Sequence, residues 1–158
     1  MTKQSTTKKS VKKTTATSSK KSAIEEPSLK MLQTTKCRTI SDKSELTYHI
    51  AVDDGGGIQV RINNNTGGGF WSKEWVSLDQ ILSTLSGVPE DKPITSIHLI
   101  KLFTGKSANT SGFLLAVLLK EGLLGSFQGK KRQYALTKNG EEKFLAKIDK
   151  LKAGKKSK

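Results

Sequence analysis

The chain has 158 residues, of which only 34% are hydrophobic, and it carries a net charge of +14 with a pI near 9.9. That composition allows one ordinary domain with extensions, so a core must come from part of the chain. The longest apolar run, Phe113 to Leu119, is far short of the roughly 20 residues that span a bilayer.

The N-terminus has no apolar segment of the secretory-signal kind. Cys37 is the single cysteine, which excludes an intramolecular disulfide and fits a reducing compartment. These features lead us to expect an intracellular, cytoplasmic protein. Charge is unevenly placed. Residues 1–30 carry +6, residues 31–127 are neutral with nine charges of each sign, and residues 128–158 carry +8. Such a distribution suits a polyanion, with nucleic acid ahead of an anionic membrane surface.

In chain order, residues 1–44 read as a Lys-rich, disordered arm and linker, because so few apolar side chains cannot offset the cost of ordering. Within it, Met31 and Leu32 are candidates to dock on the core. Residues 45–76 read as a β-hairpin or three-strand extension. Leu46, Tyr48, Ile50 and Val52 alternate with Thr47, His49 and Ala51, the period of a half-buried strand. Asp53 to Gly57 supplies a hairpin turn, and Ile58, Val60 and Ile62 mark the returning strand. Asn63 to Gly69 gives a second turn, after which Phe70 to Trp75 is expected as a third short strand anchored by Trp71 and Trp75. One apolar sheet face needs a cover. The remaining helices or a second copy of the chain could supply it, which makes a homodimer through this hairpin region an expectation.

Residues 77–151 form the expected compact domain. Ser77 and Gln80 make a capping box, with Val76 and Ile81 as a hydrophobic staple. Leu78, Ile81, Leu82 and Leu85 form one face of that helix, which Gly87, Val88 and Pro89 end. Lys92-Pro93-Ile94 is short and extended. Thr95 or Ser96 opens a second helix with Ile97, Ile100 and Phe103 inward and His98 and Lys101 outward. Gly105 stops it.

A third helix starts at Ser107 or Asn109, buries Leu114, Leu115, Leu118 and Leu119, and ends at Gly122 as the C′ residue. Two hairpin strands follow, Leu123 to Phe127 and Arg132 to Leu136, with Leu124, Tyr134 and Leu136 facing the helices. Thr137 caps a last helix whose Phe144, Ile148 and Leu151 keep helical spacing. Lys143, Lys147, Lys150 and Lys152 mark its outer face, and residues 152–158 are expected as a basic tail. The fold class is therefore α+β.

Two motifs carry a resemblance. Leu118 to Leu124 contains Leu-x-x-x-Gly-Leu, and Tyr134 to Gly140 reads Tyr-x-Leu-Thr-x-x-Gly. Both resemble the winged helix-turn-helix superfamily as found in bacterial transcription regulators, over about half the chain. The resemblance implies a helix from about Ser107 to Glu121 entering the major groove of DNA, with the wing, Gln128 to Arg132, against the backbone.

The residues themselves offer Lys106, Ser107, Asn109, Thr110 and Ser111 at the helix start, and Lys130, Lys131 and Arg132 on the wing. Asn can pair with adenine, while Ser and Thr tolerate several base edges or bind phosphate. No Arg stands on the expected reading face. Affinity is therefore expected to come largely from phosphates, with modest sequence preference.

The expected partner is double-stranded DNA and the expected location the nucleoid. Transcription regulation or chromatin and nucleoid association would be the role. The alternatives are a protein-interaction module that uses the Trp-bearing strands, and RNA binding through the same basic surface.

Signals for catalysis are weak. Gly105-Lys106-Ser107 resembles the end of a phosphate-binding P-loop, but Ile100 stands where that motif requires Gly. His49 and His98 have no Cys or carboxylate at ligand spacing. Asp53 and Asp54 are turn formers. Neither an enzyme, nor a cofactor, nor a metal site is expected.

Overall fold

The computed structural model describes residues 28–105 and 108–156. Residues 1–27 of the expected arm lie outside them. The fold is mixed α and β. An antiparallel sheet has the order β1 (Lys30–Arg38), β2 (Glu45–Val52), β3 (Ile58–Asn65) and β4 (Val76–Ser77). There follow α1 (Leu78–Ser86), a 3-10 helix (Ser96–Leu102), α2 (Ala108–Lys120), a two-stranded hairpin of β5 (Leu124–Ser126) and β6 (Tyr134–Leu136), and α3 (Gly140–Lys156). Among the described residues, no helix is long and apolar enough to cross a membrane.

The sheet's inner face is built as its alternation requires. Leu46, Tyr48, Ile50, Val60 and Ile62 are at most 3% exposed, and they share one core with Leu99, Leu114, Leu118, Phe144 and Ile148 from the helices. The helices are thus the cover this sheet needs. A polar triad centred on a buried carboxylate adds to the join. Tyr48 on β2 donates its hydroxyl to Glu121, just past α2, and Lys147 on α3 pairs with the other oxygen of that carboxylate. Glu121 is 4% exposed at its side chain, so its charge is satisfied within the fold. Lys147 therefore faces the core junction instead of lying on the outer cationic face.

Local signals fix several ends. Ser77 accepts from the Gln80 amide at 3.2 Å, the expected N-cap bond. At the end of α2, Gly122 has φ +80°, and the amides of Gly122 and Leu123 donate to Leu119 and Leu118, a Schellman termination. The two motifs then lock together. Thr137 donates its hydroxyl to the Gly122 carbonyl and its amide to that of Leu123. Gly140 packs so closely here that an added Cβ would lie 2.5 Å from the Gly122 carbonyl oxygen, which excludes any side chain. Ile94 exchanges both backbone bonds with Tyr134, so the short extended piece joins the small hairpin.

Other expectations are corrected. Residues 30–38 are an edge strand, not linker. Leu32 sits at a break in register between Met31 and Gln33, and Thr35 and Cys37 pair across to the core residues Tyr48 and Leu46. The bulge and the polar residues hid the period of two. Phe70 to Trp75 is not a strand, and only Val76–Ser77 pairs with β3.

The second helix is 3-10 rather than α. With three residues per turn, Leu99 goes inward, while Ile97 and Ile100 stand 73% and 43% exposed. β5 and β6 are three residues each, and Leu136 is 40% exposed rather than packed on the helices. α3 runs on to Lys156, so most of the expected tail is helix.

Candidate functional site

α2 is covered around most of its circumference. Thr110, Ser111, Leu114, Leu115, Ala116, Val117 and Leu118 are all buried. One cover is β1 together with the β1–β2 turn. Lys36 to Ile40 share a cleft of about 560 Å³ with Ala116, Leu119 and Lys120. The other cover is the segment from Phe70 to Trp75, which crosses the start of α2 as a strap.

The Ser72 amide donates to the Thr110 hydroxyl at 2.8 Å, and the Asn109 side-chain amide donates to the Phe70 carbonyl at 3.2 Å. Glu74 accepts from Ser72, from the Thr104 amide and hydroxyl, and from the Gly105 amide. Partial burial pushes the Glu74 carboxyl up, but these donors outweigh it and hold it below its ordinary value. One carboxylate therefore ties the strap to the turn that precedes α2.

The residues expected to contact DNA fall into three groups. Lys106 and Ser107 lie outside the described residues. Thr110 and Ser111 are 0% and 1% exposed. Thr110 holds the strap, and the Ser111 hydroxyl donates to the Ala108 carbonyl at 2.9 Å. Both hydroxyls are thus occupied inside the fold and out of reach of DNA. Helical spacing carried the warning, since each stands four residues before a core leucine, Leu114 or Leu115. Asn109, Lys130, Lys131 and Arg132 are exposed.

The wing is a tight loop with left-handed residues at Gln128 (φ 50°), Gly129 (φ 71°) and Arg132 (φ 60°). The Phe127 amide donates to the Gln133 carbonyl and the Lys130 amide to that of Phe127. These bonds hold the loop closed below its three cations. A left-handed Arg costs of order 1 kcal/mol, and such strain clusters at functional positions.

The start of α2 and the wing face one cleft. Asn109 and Arg132 line one cleft of about 320 Å³. Thr39 and Ser41 of the β1–β2 turn form another wall, and Thr95 and Ser96 at the start of the 3-10 helix form a third. Its apolar lining comes from Ile40, Phe113, Leu115 and Tyr134, with Gly112 beside them. Four separate parts of the chain thus converge. The turn residues escaped the sequence reading because nothing local marks a β1–β2 turn once β1 is taken for linker.

Nearby charges are mostly paired. Arg38 bonds Asp42 at 2.8 Å and Lys36 bonds Glu45 at 2.9 Å. Cys37 is buried, and that burial, only partly offset by Lys120, pushes its thiol up to about 11. Its nucleophilic thiolate is therefore scarce at neutral pH.

On the sheet's other face, Arg61 stacks over Trp75 at 4.4 Å and lies 3.0 Å from His49 Nδ1. Burial first, then Arg61, lowers the His49 pKa below 6.5. Among the described residues, no group of three or more His, Cys, Asp or Glu is placed to hold a metal ion. Comparisons with protein-family models, with curated proteins and with solved structures found no match to the chain.

Proposed function

We propose that residues 77–151 form a winged helix-turn-helix module that binds duplex DNA without catalysing a reaction, in transcription regulation or nucleoid organisation. The observation that carries this reading is the shared cleft of Asn109 and Arg132, which brings the first turn of α2 and the cationic wing to one side. The order of elements supports it: helix, short extended bridge at Ile94, helix, helix, strand, wing, strand.

β1 and the strap cover α2 and Thr110 and Ser111 are buried, so of the helix-start residues expected to read DNA, Asn109 alone among the described residues is exposed. Lys130, Lys131 and Arg132 would neutralise phosphates, and Asn109 would meet a base edge, with adenine its best match. The reading is tested by binding of mixed-sequence and A-rich duplexes to wild type, Asn109→Ala and Arg132→Ala. Arg132→Ala is expected to weaken both duplexes alike. Asn109→Ala is expected to erase a preference of about 1–3 kcal/mol. No duplex binding at low salt would overturn the reading.

The cleft between β1 and Ala116, Leu119 and Lys120 favours a second reading, a protein-interaction module. Against it, Trp71 and Trp75 are both half-buried, so neither stands out as an exposed aromatic anchor.

A further inference from the structure

Resting on that reading, we propose that the β1–β2 turn is a third DNA contact and that its cleft seats one deoxyribose-phosphate unit of the duplex backbone. Asn109 and Arg132 line one cleft, and Thr39 and Ser41 line the same space, so the stretch of backbone that joins a base at Asn109 to a phosphate at Arg132 would cross it. The lining matches that backbone unit in two parts. The Arg132 guanidinium and the hydroxyls of Ser41 and Ser96 suit a phosphodiester. The apolar floor of Ile40, Phe113 and Tyr134 suits the face of a deoxyribose ring and would meet the extra 2′-hydroxyl of ribose poorly.

Gly112 adds an independent observation. It stands inside α2, where glycine weakens a helix. It also lines the cleft, and a Cβ added to it would meet no atom of the described residues within 4 Å. No packing among the described residues demands a glycine there, whereas close approach of a ligand backbone would. Ser41 is exposed, so changing it leaves the core untouched.

The test measures fluorescence anisotropy of a labelled 20-base-pair DNA duplex and the matching RNA duplex with the full chain. Variants are Gly112→Ala, Gly112→Leu, Ser41→Glu, a control Ser86→Glu outside this cleft, and Lys130→Ala/Lys131→Ala in the wing. Gly112→Ala is expected to raise Tm by roughly 4 °C while raising Kd for DNA about threefold or more. Gly112→Leu and Ser41→Glu are expected to raise Kd at least about tenfold, and Ser86→Glu less than about threefold, since distant charges are largely screened.

Cleft variants that bind as wild type, while the wing variant loses affinity, would overturn the seat and leave the DNA-binding reading standing. RNA bound as tightly as DNA would overturn the deoxyribose assignment. A wild type that binds no duplex would overturn both.

Discussion

The β2–β3 and β5–β6 hairpins are both antiparallel pairs closed by glycine-containing turns, yet they do opposite work. The first pairs seven residues on each side, from Leu46↔Asn65 to Val52↔Ile58, and buries nearly every second side chain. The second pairs only three, leaves Leu136 40% exposed, and carries Lys130, Lys131 and Arg132 at its tip. Buried area makes the first a scaffold. The second contributes little to the core, which leaves its loop free to carry strained and charged residues. Stability and binding should therefore separate cleanly between them.

The sharpest break of that contrast is Ile50→Ala. Ile50 is 0% exposed on β2, and its truncation is expected to cost about 4 kcal/mol in denaturant unfolding. A cost below about 1 kcal/mol would mean that the sheet is not part of the shared core.

The strap that links the two regions gives a middle effect. Glu74→Gln is expected to cost about 1 kcal/mol at neutral pH, the net scale of one hydrogen bond. Since the Glu74 carboxyl is held below its ordinary 4.5, its contribution is full above pH 4.5 and is lost as pH falls through the lower folded value. The gap between wild type and variant should narrow over that window. A gap that stays constant with pH would show that the carboxylate does not hold the strap.

The smallest effect on stability belongs to the wing. Arg132→Asn keeps a residue tolerant of φ 60° and is expected to change stability by less than about 0.5 kcal/mol. Kd for duplex DNA should nevertheless rise several-fold. A stability loss near that of Ile50→Ala would place the wing in the scaffold and dissolve the contrast.

What was legible in the sequence follows the range of the interaction. Ser77 with Gln80, the turn from Asp53 to Gly57 and Gly122 as a helix stop are all set within a few residues. Each stands where local chemistry put it. Thr137, expected to cap the last helix, gives its hydroxyl to Gly122 instead, and α3 begins at Gly140. β1 was missed because its pairing with β2 is what makes Thr35 and Cys37 face the core, and no neighbour in sequence reports that.

The strap was missed for a similar reason. Ser72 and Glu74 bond to Thr110, Thr104 and Gly105, some 30 to 38 positions along the chain. Those bonds replace the backbone ladder that a strand would need. At the site, the cations on the wing were visible as a charge cluster. The burial of Thr110 and Ser111, and the wall formed by Thr39 and Ser41, depend on what covers α2.

The most direct test of the central claim is the salt dependence of duplex DNA binding for wild type and for Lys130→Ala/Lys131→Ala/Arg132→Ala. If the wing neutralises phosphates, the slope of log Kd against log salt should be shallower in the variant by about 2–3, near 0.9 for each phosphate left without its cation, with the folded state intact. An unchanged slope, or a wild type that fails to bind duplex at low salt, would contradict it.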